Sequence, residues 1–272
     1  MSFLLFQVSC VTYVVSAALY LIFFLSEKKK ARSIARWVFF GAAVAHTLNI
    51  IFRYIEAGHT PITSHHETIS FFAWSIAWCY LSFRWRYTVK NLGTFVSILV
   101  VSLMLVAAFS SRVIIPLAPV FQSFWLPLHA SIALLSYAFL ALAFLGSIMY
   151  LLQEREIKQK SFGLFYSRLP SLEALEKLNH HCLSVGFTLL TVGLLTGVLW
   201  AKQAWGTYWR WDPKEAWSLI TWFLYAGVIH QRFTAGWRGK RVAYICIIAF
   251  LSALFTLWGV SFFLKGMHVY AA

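Results

Sequence analysis

At 272 residues with 60% hydrophobic and only 12% charged side chains, the chain is too apolar for a soluble domain, in which about a quarter of residues are charged. Its formal net charge of +14 invites a nucleic-acid reading, but seventeen of the 23 lysines and arginines fall in alternate connections between apolar runs. That asymmetry is the positive-inside pattern of a polytopic membrane protein, so the charge reports topology in a lipid bilayer and excludes a polyanionic partner.

Apolar runs near the roughly 20 residues that span a bilayer fall at 3–26, 35–55, 69–83, 92–110, 125–152, 182–202, 216–233 and 242–264. They predict an all-α polytopic membrane protein with about eight transmembrane helices, the third rather short. Lipid offers no partner for bare backbone groups, and no alternating strand pattern is present. The first run has no basic residue before it and is followed by Lys28, Lys29 and Lys30. It is therefore expected to stay as the first helix and not to be cleaved as a signal peptide.

Placing the loop with Lys28, Lys29, Lys30, Arg32 and Arg36 in the cytoplasm puts three further clusters on the same side. These are Arg84, Arg86 and Lys90; Arg155, Lys158, Lys160, Arg168 and Lys177; and Arg232, Arg238, Lys240 and Arg241. Both termini and the tryptophan segment after the sixth run then face the outer, periplasmic side. Within the cytoplasmic connection 153–181, Pro170 and a capping Ser171 precede Leu172, Leu175 and Leu178, with Glu173, Glu176 and Lys177 opposite them. This pattern predicts a short amphipathic helix at the inner interface. No linker or repeat divides the chain, so residues 1–272 read as a single membrane domain with an outer tryptophan-rich loop over 203–217. Cys10, Cys79, Cys182 and Cys246 form no CxxC pair, which removes a membrane thiol oxidoreductase and a covalently attached haem of the chain's own.

Trp205-Gly-Thr-Tyr-Trp-Arg-Trp-Asp-Pro-Lys-Glu-Ala-Trp217 packs four tryptophans and the chain's only aspartate, Asp212, into thirteen residues. An interfacial belt needs only about one or two rings per helix end, so this density suggests an aromatic platform. Ionisable side chains inside a membrane are costly and mark functional candidates. His46 lies near the middle of the second helix, His230 near the cytoplasmic end of the seventh, His129 at the outer start of the fifth, and His268 after the eighth. Two imidazoles on opposite faces of a porphyrin make a six-coordinate haem. Trp205, Tyr208, Trp209, Trp211 and Trp217 could then stack on the ring, while Arg210 or Lys214 meets a propionate. Asp212 either orders the loop or orients an imidazole. The estimated depths of His46 and His230 differ by about 10 Å, which asks for an inclined ring or tilted helices if they share a haem. His59, His65 and His66 fall in an outer loop, solvated or lining an access path, and His180 and His181 at the inner surface.

The segment from Trp205 to Trp222 resembles the WWD signature of haem-handling cytochrome c assembly proteins. Leu169-Pro-Ser-Leu-Glu-Ala-Leu175, Phe187-Thr-Leu-Leu-Thr-Val-Gly193, Ile229-His-Gln-Arg232 and Gly236-Trp-Arg-Gly239 narrow the likeness to the CcsA/ResC subunits of the System II cytochrome c synthase. The similarity runs from the second helix to the carboxyl terminus. It implies that His129 and His268 ligate haem at the outer face, and that His46 and His230 hold non-covalent haem b in the membrane on its way there. It further implies that haem is presented for thioether attachment to the CxxCH motif of an apocytochrome c, by a holocytochrome c synthase (haem lyase) working with a ResB/CcsB-type subunit. A bacterial cytoplasmic (inner) membrane is expected ahead of a thylakoid membrane. The outer segment departs from the family's G-x-x-P-x-x-N-x-Y-E-S, with Ser64 and His66 at the asparagine and tyrosine positions, and Gly259-Val-Ser261 and Met267-His-Val269 stand for G-V-N and L-H-S. Two other classes share the chemistry: a b-type electron-transfer cytochrome, whose stacked histidine pairs on two helices are not found here, and a HemX-like regulator of tetrapyrrole synthesis.

Overall fold

The structure is a computed structural model and describes residues 1–87, 89–114, 117, 121–160 and 163–264. Its helices are α1 (Ser2–Ser26), α2 (Lys29–Ala57), α3 (His65–Arg86), α4 (Leu92–Phe109), α5 (Trp125–Lys158), α6 (Leu164–Arg168), α7 (Leu172–Trp205), α8 (Pro213–Thr234), α9 (Lys240–Leu254) and α10 (Val260–Phe263). A π-helical turn, Phe255–Gly259, joins the last two. No strand occurs among the described residues. Each apolar run of the sequence lies in a helix, and α1, α2, α4, α5, α7 and the continuous Lys240–Phe263 segment are long and apolar enough to cross a membrane. The protein is an all-helical, multi-pass membrane protein. The helices α3 and α8 cover the other two runs with 22 residues each, longer than the third run suggested.

The extra length comes from polar caps. Ser64 accepts from the Glu67 amide while Glu67 reaches back to the Ser64 amide, a capping box that starts α3 four residues before its apolar run. In the connection 153–181 the predicted short amphipathic helix is not a separate element. Leu172 opens α7, which runs unbroken for 34 residues. Leu175, Leu178, Cys182, Leu183 and Gly186 continue one buried face at helical spacing, and Asn179 on that face donates to Ser147 Oγ at 3.2 Å. With no breaker between Lys177 and Cys182, the inner leucines nucleate the same helix that continues as the apolar run. The short helix of this connection is α6, which has no buried residue.

The chain divides into two compact units, Met1–Pro116 with Gln153–Ser171, and Leu117–Leu152 with Leu172–Ala272. In the first, α1 and α2 turn about Glu27 in the left-handed conformation and pair along their length, with Ser16 Oγ donating to the Ala35 carbonyl at 2.9 Å. Edge-on aromatic contacts link Tyr13, Phe39 and Tyr80 through the core of the unit. At the basic end Glu27 meets Arg168 and, at 3.4 Å, Lys90, and these hydrogen bonds hold its carboxyl below the ordinary value. In the second unit α5 and α7 approach closely enough for Ser136 Oγ to donate to the Gly186 carbonyl at 2.8 Å. Thr221, Ser252 and Thr256 join α8 to α9 and its π turn through buried hydroxyls at 2.7 and 3.1 Å. Glu176 near the start of α7 gathers the ends of two more helices: it accepts from Arg232 of α8 at 3.1 Å and from the Gly239 amide that opens α9.

Candidate functional site

The tryptophan segment is shared by a helix end, a short connection and a helix start, so the predicted loop 203–217 contracts to residues 206–212. Its last residue builds the next helix. Asp212 is the N-cap of α8: its carboxylate accepts from the Lys214 amide at 3.1 Å, Pro213 fills the first helical position, and Glu215 returns to the Asp212 amide at 3.3 Å. Glu215 also accepts from the Arg210 amide at 2.8 Å. Asp212 therefore orders the loop, the first of the two roles the sequence allowed it. The spelling Asp-Pro-Lys-Glu carries this signal, and an aromatic reading of the motif passes over it.

The connection is closed from the other side by two cations. Arg210 donates through Nε to Thr207 Oγ1 at 3.0 Å and through Nη2 to the Trp205 carbonyl at 3.2 Å. Lys202 donates to the Gly206 carbonyl at 2.9 Å and lies 5.1 Å from the Tyr208 ring centre. Gly206 (φ 76°) and Trp211 (φ 59°) are both left-handed, which turns the backbone sharply enough to aim successive rings apart.

The aromatic rings form three groups. Trp211 and Tyr208 stand out from the loop, 71% and 56% exposed, with Trp209 edge-on to Trp211 at 5.7 Å. Trp217 lies on Phe255 of the π turn at 4.5 Å. Trp205 turns inward to Trp200, 4.9 Å away in an edge contact. Trp200 itself is only 2% exposed, and its ring is nearly parallel to the imidazole of His129, at 6.3 Å and 9°.

His129 is held by α7. Its Nδ1–H donates to the Gly193 carbonyl at 2.7 Å, which fixes the tautomer and leaves the lone pair on Nε2. A Cβ on Gly197 would lie 2.8 Å from the ring, so glycine there is what lets the imidazole sit against the helix. Gly193, Gly197 and Trp200 thus form one stripe of α7 shaped to His129. An imidazole whose Nδ1 is anchored to a backbone carbonyl is the usual arrangement of a metal-ligating histidine. Sequence reading found His129 but missed Trp200 and the two glycines, although their spacing of four and three residues places them on one face.

The other histidines fall out as follows. His268 lies outside the described residues. His46, in the first unit, is fully buried on α2; its Nε2 is hydrogen-bonded to Ser70 Oγ at 2.9 Å, its Nδ1 has no partner, and the ring meets Tyr13 edge-on at 5.9 Å. His230 belongs to the second unit and stands on the exposed face of α8. His65 and His66 belong to the first turn of α3 and not to the preceding loop, a consequence of the capping box at Ser64. His66 is buried and donates through Nδ1 to the Ala107 carbonyl at 2.7 Å. His59 sits beside the Thr60 carbonyl at 3.1 Å, and His180 lies edge-on to Phe233 at 6.3 Å. His181 is half-buried on α7.

Each unit thus holds an imidazole with a nitrogen that makes no hydrogen bond: Nε2 of His129 in the second and the buried Nδ1 of His46 in the first. The family model described as "Cytochrome C assembly protein" matches residues 62–268. The chain is 33% identical over 251 residues to the cytochrome c biogenesis protein CcsA of Guillardia theta, covering 84% of this chain and 82% of that one. It is 32% identical over 269 residues to the CcsA of Prochlorococcus marinus (strain MIT 9312), covering 89% and 86% respectively. Among solved structures it resembles the cytochrome c haem lyase CcmF, with a TM-score of 0.72 at 16% identity. That likeness covers 99% of this chain and 47% of the other, so the chain spans about half the length of the protein whose fold it shares. The chain belongs to the cytochrome c assembly protein family, and within it to the CcsA subunits of cytochrome c biogenesis.

Proposed function

We propose that the chain carries haem b through the membrane and presents it at the outer face for covalent attachment to an apocytochrome c. The observation that carries this reading is His129, with Nδ1 anchored on Gly193, Nε2 open, and its ring beside Trp200 beneath the tryptophan segment. His268 is the second axial ligand of that outer site, and His46 with His230 forms the site within the membrane. Trp205, Tyr208, Trp209, Trp211 and Trp217 shelter the ring, with Arg210 and Lys214 at its propionates. Eight helices cross the membrane, both termini lie on the outer side, and the membrane is a bacterial cytoplasmic one. Residues 1–272 act together as one membrane domain.

Haem is here cargo and substrate: its vinyl groups and iron supply the reactivity, and the chain supplies position and exclusion of water. The histidine of the CxxCH segment would displace one axial ligand from the iron, and the Gly193 bond holds the His129 imidazole in the orientation that presents Nε2. A ResB/CcsB-type subunit holds the apocytochrome, and the assembly acts as a haem lyase. The test is co-expression with such a partner and an apocytochrome c in cells lacking their own maturation system. Covalent haem stain on the cytochrome is expected with the unaltered chain and its near-complete loss with His129→Ala or His268→Ala. Maturation at the unaltered level in both variants sinks the reading.

A further inference from the structure

We propose that the first unit carries a haem-receiving cleft of its own, in which His66 offers Nε2 to the iron and Arg112 with Asn49 receives a propionate. The inference rests on the reading that this chain handles haem, and it concerns residues outside the two histidine pairs named above.

A cleft of about 350 Å³ opens in the first unit, lined by Phe3, Phe6, Asn49, His66, Ser70 and Arg112 among others. Its volume lies in the range of small-molecule sites, roughly 300–1,000 Å³. His66 is 7% exposed, and the bond from its Nδ1–H to the Ala107 carbonyl leaves Nε2 as a lone-pair nitrogen that makes no hydrogen bond. Asn49 is 6% exposed and its side-chain amide makes none either. Both groups line the cleft without a protein partner, so both are available to a molecule bound in it.

The cleft also holds an unbalanced cation. Glu67 takes Arg53 at 2.9 Å and Glu56 takes the amide and hydroxyl of Ser2, so neither carboxylate is left for Arg112. The Arg112 guanidinium donates to the Ala108 carbonyl at 2.7 Å and lies over Phe3 and Phe6, 4.6 and 5.8 Å from their centres, with no carboxylate partner among the described residues. Phe6 in turn lies 4.8 Å from the His66 ring.

These groups select the ligand class. A phosphate headgroup would suit Arg112 and Asn49 but would set its oxygens against the lone pair of His66. A flat apolar ring with a bound metal and a carboxylate uses all three: the metal takes Nε2, the carboxylate takes Arg112 and the amide, and Phe3 and Phe6 meet the ring. His66 has the same carbonyl-anchored arrangement as His129. His46 differs, because its Nε2 is already engaged by Ser70, a residue of the cleft wall.

The test uses the full chain, purified in detergent and titrated with haemin. The quadruple variant His46→Ala, His129→Ala, His230→Ala, His268→Ala should still bind haemin, with the high-spin Soret band of iron held by a single imidazole. Adding His66→Asn should weaken that binding at least about tenfold, while preserving a side-chain donor for Ala107. Adding Arg112→Gln should weaken it without moving the band, and free imidazole should restore haemin binding to His66→Asn. Equal haemin binding with His66 and with Asn at that position overturns the proposal. Should the quadruple variant fail to fold, His66→Asn alone in the otherwise unaltered chain should lower bound haem per chain, and an unchanged stoichiometry and spectrum overturn it equally. If the unaltered chain binds no haemin at all, it is the haem-handling reading itself that falls.

Discussion

Gly197 shows how one missing side chain can set an imidazole. A methyl group there would lie 2.8 Å from the His129 ring, so Gly197→Ala should push the ring off Gly193 while leaving the histidine in the sequence. The expected result is a haem spectrum at the outer site close to that of His129→Ala, with a stability loss of about 1–3 kcal/mol from overpacking, read by absorption and thermal unfolding of the purified chain. Asp212 acts by a different route. Asp212→Ala removes the N-cap of α8 and should cost about 1 kcal/mol, whereas Asp212→Asn, which can still accept from the Lys214 amide, should keep most of it. If the two variants melt alike, the capping role is wrong. At this scale the sequence told the kinds of residue but seldom their partners. His129 stood out because an imidazole at a membrane boundary needs a reason, while Trp200 and Gly193 became meaningful only when α7 met α5, a pairing of faces that no local pattern encodes.

Helices were legible wherever apolar runs approached the spanning length, because lipid leaves the backbone no alternative. Their ends were not, since each is fixed by polar residues outside the run. Ser64 with Glu67 moved His65 and His66 from a loop into α3, and Asp212 with Glu215 did the same for the start of α8. Both boxes have the S/D-x-x-E spelling, so that information was present and masked by the stronger aromatic and histidine signals. The inner segment of α7 is the opposite case, where amphipathic spacing marked a helix correctly but gave no sign that it continued. Glu176 in that segment now has a use, as the acceptor for Arg232 and the Gly239 amide. The side chains are 19% and 9% exposed, so Glu176→Gln should leave an arginine largely uncompensated and cost about 2–3 kcal/mol after allowance for screening. A thermal midpoint unchanged from the unaltered chain would remove Glu176 from the account of how α7, α8 and α9 are held together.

For the molecule as a whole, composition and charge were enough for an all-helical membrane protein, because those properties are sums over the chain and do not depend on contacts. The proposed haem site is legible to a lesser degree: the tryptophan segment and His129 belong to one unit and lie close together, whereas His46 and His230 fall in different units and His268 beyond the described residues. The proposed pairings therefore rest on the chemistry of each imidazole. The central claim is that His129 is a haem ligand presented beneath the tryptophan segment. Its most direct test is the absorption spectrum of the reduced chain, purified with haem supplied during expression, set beside that of His129→Ala with and without added imidazole. The account predicts split α and β bands of a six-coordinate haem in the unaltered chain, loss of the outer-site fraction in His129→Ala, and its return with imidazole. An identical spectrum and identical haem content in the two proteins would contradict it.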